Sequence, residues 1–248
     1  TADKTIAGLE KSLNKQVEKG RLSEEDRDGA LQRVTGTSDL GDLAACDLVI
    51  ESVVEDLATK KELFNELDRI CGEATILATN TSTLPVIEMA METGRPNKVC
   101  GIHFFNPAPM MSLVEVVRPL TADDETIAEA RAFAEACGKA PVEVKDQAGF
   151  IVNALLFPYL NNAVRLLENG VATREDIDEA MKGGCNFPMG PLALLDLVGL
   201  DTSLAIIEAL YAEFRDPNYA PVPLLKRMVA AEQLGRKSGK GFYDYSKK

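Results

Sequence analysis

Between residues 46 and 145 short apolar runs alternate with amphipathic stretches, and from residue 150 onward the alternation stops. That switch constrains the fold more than any other feature of the chain. "CDLVIESV" (46–53), "ATILATNTS" (74–82), "NKVCGIHFF" (97–105), "MSLVEVVRP" (111–119) and "APVEVK" (140–145) read as strands. The intervening stretches 56–72, 84–94 and 123–138 carry apolar residues near helical spacing, with Pro85 near the first turn of the second. Strands separated by helices need crossover connections, so the pattern predicts a mostly parallel sheet. After residue 150 come only helical patterns: 150–170, interrupted at Pro158, then 173–184, 191–200, 201–214 and 223–235. The expected architecture is an α/β domain over 1–146 followed by an all-α domain over 147–248.

Ahead of the alternation, residues 1–19 read as a helix, with Ile6, Leu9, Leu13 and Val17 on one face and Gly20 as the stop. Ser23 then looks like the N-cap of a second helix. The chain opens on Thr1 inside a helical pattern. Upstream sequence is therefore expected, with room for a targeting segment. The formal net charge of -12 argues against nucleic acid or an anionic membrane surface as a general partner, although local lysines can still hold a phosphate. Five cysteines, an odd number widely spaced and without C-x-x-C, suit reduced thiols in a cytoplasmic protein better than a disulfide framework or a metal site. No apolar run reaches the ~18 residues of a membrane span.

In an open α/β sheet ligands sit beyond the carboxyl ends of the strands. Three successive predicted strands deliver polar groups there: Glu51 and Glu55, then Asn80 and Ser82, then His103 and Asn106. His103 is the only histidine of the chain.

The stretches "TNTSTL", "GIHFFNPAPMMSLVEVV", "KDQAGFIVNALLFPYLNNAVRLLENG", "PMGPLALLDLVGLDT" and "GRKSGKGFYDY" together resemble the L-3-hydroxyacyl-CoA dehydrogenase family, and within it the bacterial 3-hydroxybutyryl-CoA enzymes. The resemblance implies that residues 1–146 are the remainder of an N-terminally truncated, α/β Rossmann-type NAD-binding domain, and it implies NAD-linked interconversion of a 3-hydroxyacyl-CoA and its 3-keto form, in a homodimer paired through the helical domain. It implies that His103 is the catalytic base and Glu115 its partner. An imidazole, with an ordinary pKa of about 6.5, can take the 3-hydroxyl proton near neutral pH, and a carboxylate steadies the imidazolium. By the same motifs Ser82 meets the substrate oxygen and lies at the junction of cofactor and CoA ester, and Asn153 positions the substrate. Glu55, Lys60, Asn106 and Lys237 contact the cofactor, and Ser12 and Lys19 meet the CoA nucleotide.

Read from the residues alone, plainer roles stand beside these. Ser82 suits a helix N-cap, Glu115 a water-facing strand carboxylate, Asn153 a helix-end cap or a solvent-facing residue, and Lys60 and Lys237 solvated surface charges. The glycine-rich G-x-G-x-x-G turn of dinucleotide-binding folds is absent, as is the acidic residue that follows it by ~20 positions and separates NAD from NADP. The 248-residue chain alone is accordingly expected to bind a dinucleotide weakly or not at all; micromolar affinity for NADH would overturn that expectation. Two alternatives belong here too: the dehydrogenase part of a multifunctional fatty-acid oxidation protein, and a non-catalytic acyl-CoA-binding relative.

Overall fold

A computed structural model describes residues 2–246, so Thr1, the first residue of the predicted opening helix, lies outside it. Helices α1 (Ala2–Glu18) and α2 (Glu24–Gln32) form a hairpin with no fully buried residue, and Ser23 caps α2 by accepting from Asp26 N. Then come β1 (Leu48–Glu51), α3 (Leu57–Ile70), β2 (Ile76–Thr79), α4 (Val86–Ala90), β3 (Val99–Phe104), β4 (Leu113–Arg118), α5 (Asp124–Ala136) and β5 (Ala140–Lys145). The sheet order is β1-β2-β3-β4-β5. The first three strands are parallel, β4 runs antiparallel to β3, and β5 is parallel to β4. The one antiparallel pair falls where two predicted strands follow each other without a helix, since the chain can return only by reversing direction.

Alternate residues of the strands feed two cores. Leu77, Val99 and Val117 pack with Phe64 and Leu67 of α3 and Val86 and Met89 of α4. Ile76, Ala78, Cys100, Ile102, Val114 and Val116 pack with Ile127, Ala130 and Ala134 of α5 on the other face. The sheet is thus a middle layer with its strand ends left free to carry chemistry.

The helical part holds α6 (Val152–Glu168), α7 (Arg174–Cys185), α8 (Pro191–Val198), α9 (Leu200–Phe214) and α10 (Pro223–Ala230) around a third core that includes Phe157, Leu160, Leu192, Leu195, Ile207 and Leu225. Pro158 does not interrupt α6, contrary to the sequence pattern. Proline inside a helix costs about 3 kcal/mol, and the fully buried Leu160 and Val164 that follow show the packing that offsets it. Two buried carboxylates close this unit. Asp178 accepts from Leu192 N, Ala193 N and the Tyr243 hydroxyl, and Asp196 accepts from Phe242 N, Tyr243 N and the Tyr245 hydroxyl. The "GKGFYDY" tail is therefore a clasp on α7 and α8.

No helix among the described residues is long and apolar enough to cross a membrane.

Candidate active site

The strand ends carry a continuous chain of hydrogen bonds. His103, near the end of β3, pairs in cross-strand register with Glu115 of β4. Its Nδ1 lies 2.8 Å from Glu115 Oε2, and its Nε2 lies 3.1 Å from Ser82 Oγ. A carboxylate only accepts, so Nδ1 carries the proton and the neutral ring turns the Nε2 lone pair toward Ser82. The ring is 3% exposed and lies between Phe105 and Phe150, with centroids at 4.5 and 5.5 Å.

Glu115 is fully buried rather than facing water. Its other oxygen, Oε1, accepts from Ile151 N at 2.9 Å and Val152 N at 3.0 Å. These are unpaired N–H groups of the first turn of α6, where a helix favours negative charge. The carboxylate that orients the histidine is therefore also the anchor of the helical domain. The backbone turns sharply to allow this: Gly149 and Phe150 have φ of 74° and 47°. A Cβ on Gly149 would come within 2.8 Å of Leu210 Cδ2, so glycine is required by space as well as by conformation. Asn153 follows in the same turn and is 8% exposed, which sets aside its reading as a solvent-facing residue.

Ser82 is not an N-cap. The helix starts at Val86, and its free N–H groups go to Asp146, whose carboxyl oxygens accept from Val86 N and Ile87 N at 3.0 and 2.7 Å. Burial pushes the Asp146 carboxyl above its usual range in spite of these two donors, and Glu213 nearby adds to the rise. Ser82 is thereby free for His103. Its own backbone N–H donates to Glu55 Oε1 at 3.0 Å.

Lys60 corrects the sequence reading most sharply. It is 1% exposed, not a solvated surface charge, and its ammonium meets Glu51 Oε1 at 2.7 Å and Glu55 Oε2 at 3.2 Å. Lys61 is the outward neighbour, paired with Glu88 and Glu92. Asn80 ties the edge together by donating to Ser52 Oγ and accepting from Phe104 N. Asn106 is exposed just beyond.

The remaining candidates are not among the hydrogen-bonded partners of this cluster. Lys237 lies just ahead of the tail clasp, with its ammonium on Asp201 at the start of α9. Ser12 is exposed on α1, and Lys19 is exposed one residue past its end. Glu51 was visible in the sequence only as a polar group at the sheet edge. A carboxylate closing an apolar strand needs a buried partner, and that need is the signal pointing to Lys60.

With this geometry in place the comparisons with known proteins are decisive. Residues 1–147 match the family model of the 3-hydroxyacyl-CoA dehydrogenase NAD binding domain, and residues 149–245 match that of its C-terminal domain. The chain belongs to the 3-hydroxyacyl-CoA dehydrogenase family. A 3-hydroxybutyryl-CoA dehydrogenase of Clostridioides difficile is 50% identical over 245 residues, covering 99% of this chain and 87% of the relative. The crystal structure of (S)-3-hydroxybutyryl-CoA dehydrogenase PaaH1 from Ralstonia eutropha superposes with a TM-score of 0.97 at 46% identity, covering 99% of this chain and 87% of that one. FadB2 of M. tuberculosis gives a TM-score of 0.94 at 49% identity, over 98% and 86% of the two chains. As a member of this dehydrogenase family, the chain is an oxidoreductase with an NAD-binding domain.

Proposed function

We propose that this dehydrogenase interconverts (S)-3-hydroxybutyryl-CoA and its 3-keto form, with His103 and Glu115 handling the hydroxyl proton. The observation that carries the reading is the run Ser82–His103–Glu115–α6, in which each donor meets an acceptor. His103 Nε2 takes the proton of the 3-hydroxyl. Ser82 holds that oxygen in line, and Asn153, from the first turn of α6, orients the acyl-CoA thioester. The new positive charge on the ring is met by Glu115, whose own charge is shared with two backbone N–H groups of α6. In the reverse direction the imidazolium returns the proton.

The residues present fit the nicotinamide end of the cofactor. Val53 and Val54, 44% and 69% exposed beyond β1, offer an apolar surface, and the Asn106 amide and Ser82 hydroxyl suit a ring bearing a carboxamide. Lys60, turned inward onto two carboxylates, is not free for a phosphate. NAD, when bound, supplies the acceptor for the hydride that leaves C3. A homodimer through the helical domain fits the exposed Ile151, Leu155 and Leu166 on α6. A cytoplasmic location fits the five free thiols.

The test follows loss of NADH absorbance with acetoacetyl-CoA for the parent protein and for His103→Ala. Turnover is expected to fall by about two powers of ten or more with folding retained. Equal and measurable turnover in the two proteins would remove His103 from the mechanism.

A further inference from the structure

We propose that Glu51 is a positioning residue: from beneath β1 and β2 it fixes the Thr81–Ser82 turn, and through it the Ser82–His103 contact. This rests on Ser82 and His103 being the proton-handling pair. Glu51 is the last residue of β1, in parallel register with Thr79 at the end of β2. Its side chain has no exposure, and both oxygens are used. Oε1 accepts from Lys60 Nζ at 2.7 Å and from Val53 N at 2.5 Å, and Oε2 accepts from Thr79 Oγ1 at 2.7 Å.

Two routes lead from this carboxylate to the same turn. On the first, Thr79 Oγ1, held by Glu51, accepts from Thr81 N at 3.2 Å. On the second, Lys60, held by Glu51, draws Glu55 Oε2 to 3.2 Å. That leaves Glu55 Oε1 facing the turn, where it accepts from Thr81 Oγ1 and from Ser82 N. Thr79 and Thr81 are 0% and 1% exposed, so water does not replace the bonds of the first route. Ser82 Oγ then meets His103 Nε2.

The arrangement is a competition for one ammonium. Lys60 lies closer to the buried Glu51 than to Glu55, whose side chain is 42% exposed. Without the charge on Glu51, the buried ammonium is left with Glu55 as its carboxylate partner among the described residues and pulls it inward, away from Thr81 and Ser82. Glu51→Gln acts on both routes. The amide keeps the shape and its oxygen can still accept from Val53 N and Lys60, so what changes is the charge and the Thr79 contact, where an amide N–H faces the hydroxyl that donated to Oε2.

Because the chain has a single histidine, the ring nitrogens of His103 report the turn directly, with no cofactor or turnover needed. The experiment records the Nε2 resonance in protein labelled with nitrogen-15 at histidine, for the parent, Ser82→Ala, Glu51→Gln and, as a surface control, Lys61→Gln. Ser82→Ala sets the displacement that follows loss of the hydroxyl. Glu51→Gln is expected to move Nε2 in the same direction by a large part of that displacement, and in the Ser82→Ala background to move it no further. Lys61→Gln is expected to leave it in place. In turnover, Glu51→Gln is expected to lower kcat about tenfold with KM for the acyl-CoA unchanged. A folded Glu51→Gln protein with the parental Nε2 resonance would overturn the proposal. If Glu51→Gln alone does not fold, Glu51→Gln/Lys60→Met, which leaves neither member of the pair charged, takes its place with the same readout, and a parental resonance there overturns the proposal equally. The nitrogen resonance stands whether or not the protein turns over acyl-CoA, so failure of the proposed function and failure of this proposal are told apart.

Discussion

Glu115 can be made to lose one of its two tasks at a time. In Glu115→Gln the amide oxygen keeps the N–H groups of Ile151 and Val152, and the amide nitrogen replaces the oxygen that faced His103 Nδ1. Two of three bonds survive, and the third now sets donor against donor. Losing a hydrogen bond to a charged group costs about 1.5–3 kcal/mol. In rate that is about ten- to a hundredfold, rising toward 10⁴ if the ring escapes the clash by moving its proton to Nε2, where the lone pair is needed. In stability it is at most a similar amount, and at about 2–4 °C per kcal/mol for a chain of this size the melting point drops by several degrees. In Glu115→Ala all three donors are orphaned at a site with no exposure. At about 1–3 kcal/mol each, and less than additive, the cost is roughly 3–6 kcal/mol before the cavity is counted, enough to lower melting by about 6–24 °C. The assay pairs turnover with thermal melting. Glu115→Gln should be slow but well folded, and Glu115→Ala slow and strongly destabilised. Equal melting points for the two would show that the helix contact is idle, and near-parental turnover in Glu115→Gln would refute the assigned tautomer.

Gly190→Ala should destabilise by about 3 kcal/mol or more in a denaturant titration, because the new Cβ would fall inside the Asp178 side chain and within 2.6 Å of its Cα; a loss under about 1 kcal/mol would mean that α7 and α8 are free to part. Asp196 should leave a signature in pH. Burial raises its carboxyl above the ordinary value of 3.8, outweighing its hydrogen bonds, so the folded state binds the proton more readily than the unfolded one. Its contribution to stability is greatest below that ordinary value and fades as pH rises through the raised one. Unfolding free energies across that window should show the parent losing its low-pH advantage over Asp196→Asn, whereas an advantage that grows with pH would contradict the assignment.

What the sequence made legible was whatever depends on near neighbours. Period and β-branching marked β1 to β5, because β1 to β4 feed core packing with alternate residues and the edge strand β5 still turns Val144 inward. Ser23 as the N-cap of α2 was a three-residue matter. The missed features are all long-range. The cap of α4 comes from Asp146, 60 positions after Val86, so nothing local could warn that Ser82 was released from that duty. Whether Lys60 points outward or inward depends on Glu51, nine residues back and in another element. The pairing of His103 with Glu115, which the family motif supplied, rests on the β3–β4 register, and the second pair of bonds on Glu115, which no motif announced, needs the helical unit docked against the strand ends. Pro158 was read by its local preference, which the surrounding helices overrode.

The shared carboxylate makes the two halves of the molecule chemically interdependent. A sheet domain cut loose from α6 could keep every residue of its strands and still hold an imidazole whose counter-charge has lost its backbone donors. On the mechanism proposed above, activity is conditional on two events at once, folding of the sheet and seating of the helices, much as a lock that needs two keys turned together. One consequence concerns redesign. Exchanging the helical unit to admit longer acyl chains would have to conserve, besides the Asn153 side chain, two consecutive N–H groups in space, and a graft judged by sequence identity alone would have no way of checking that they arrive.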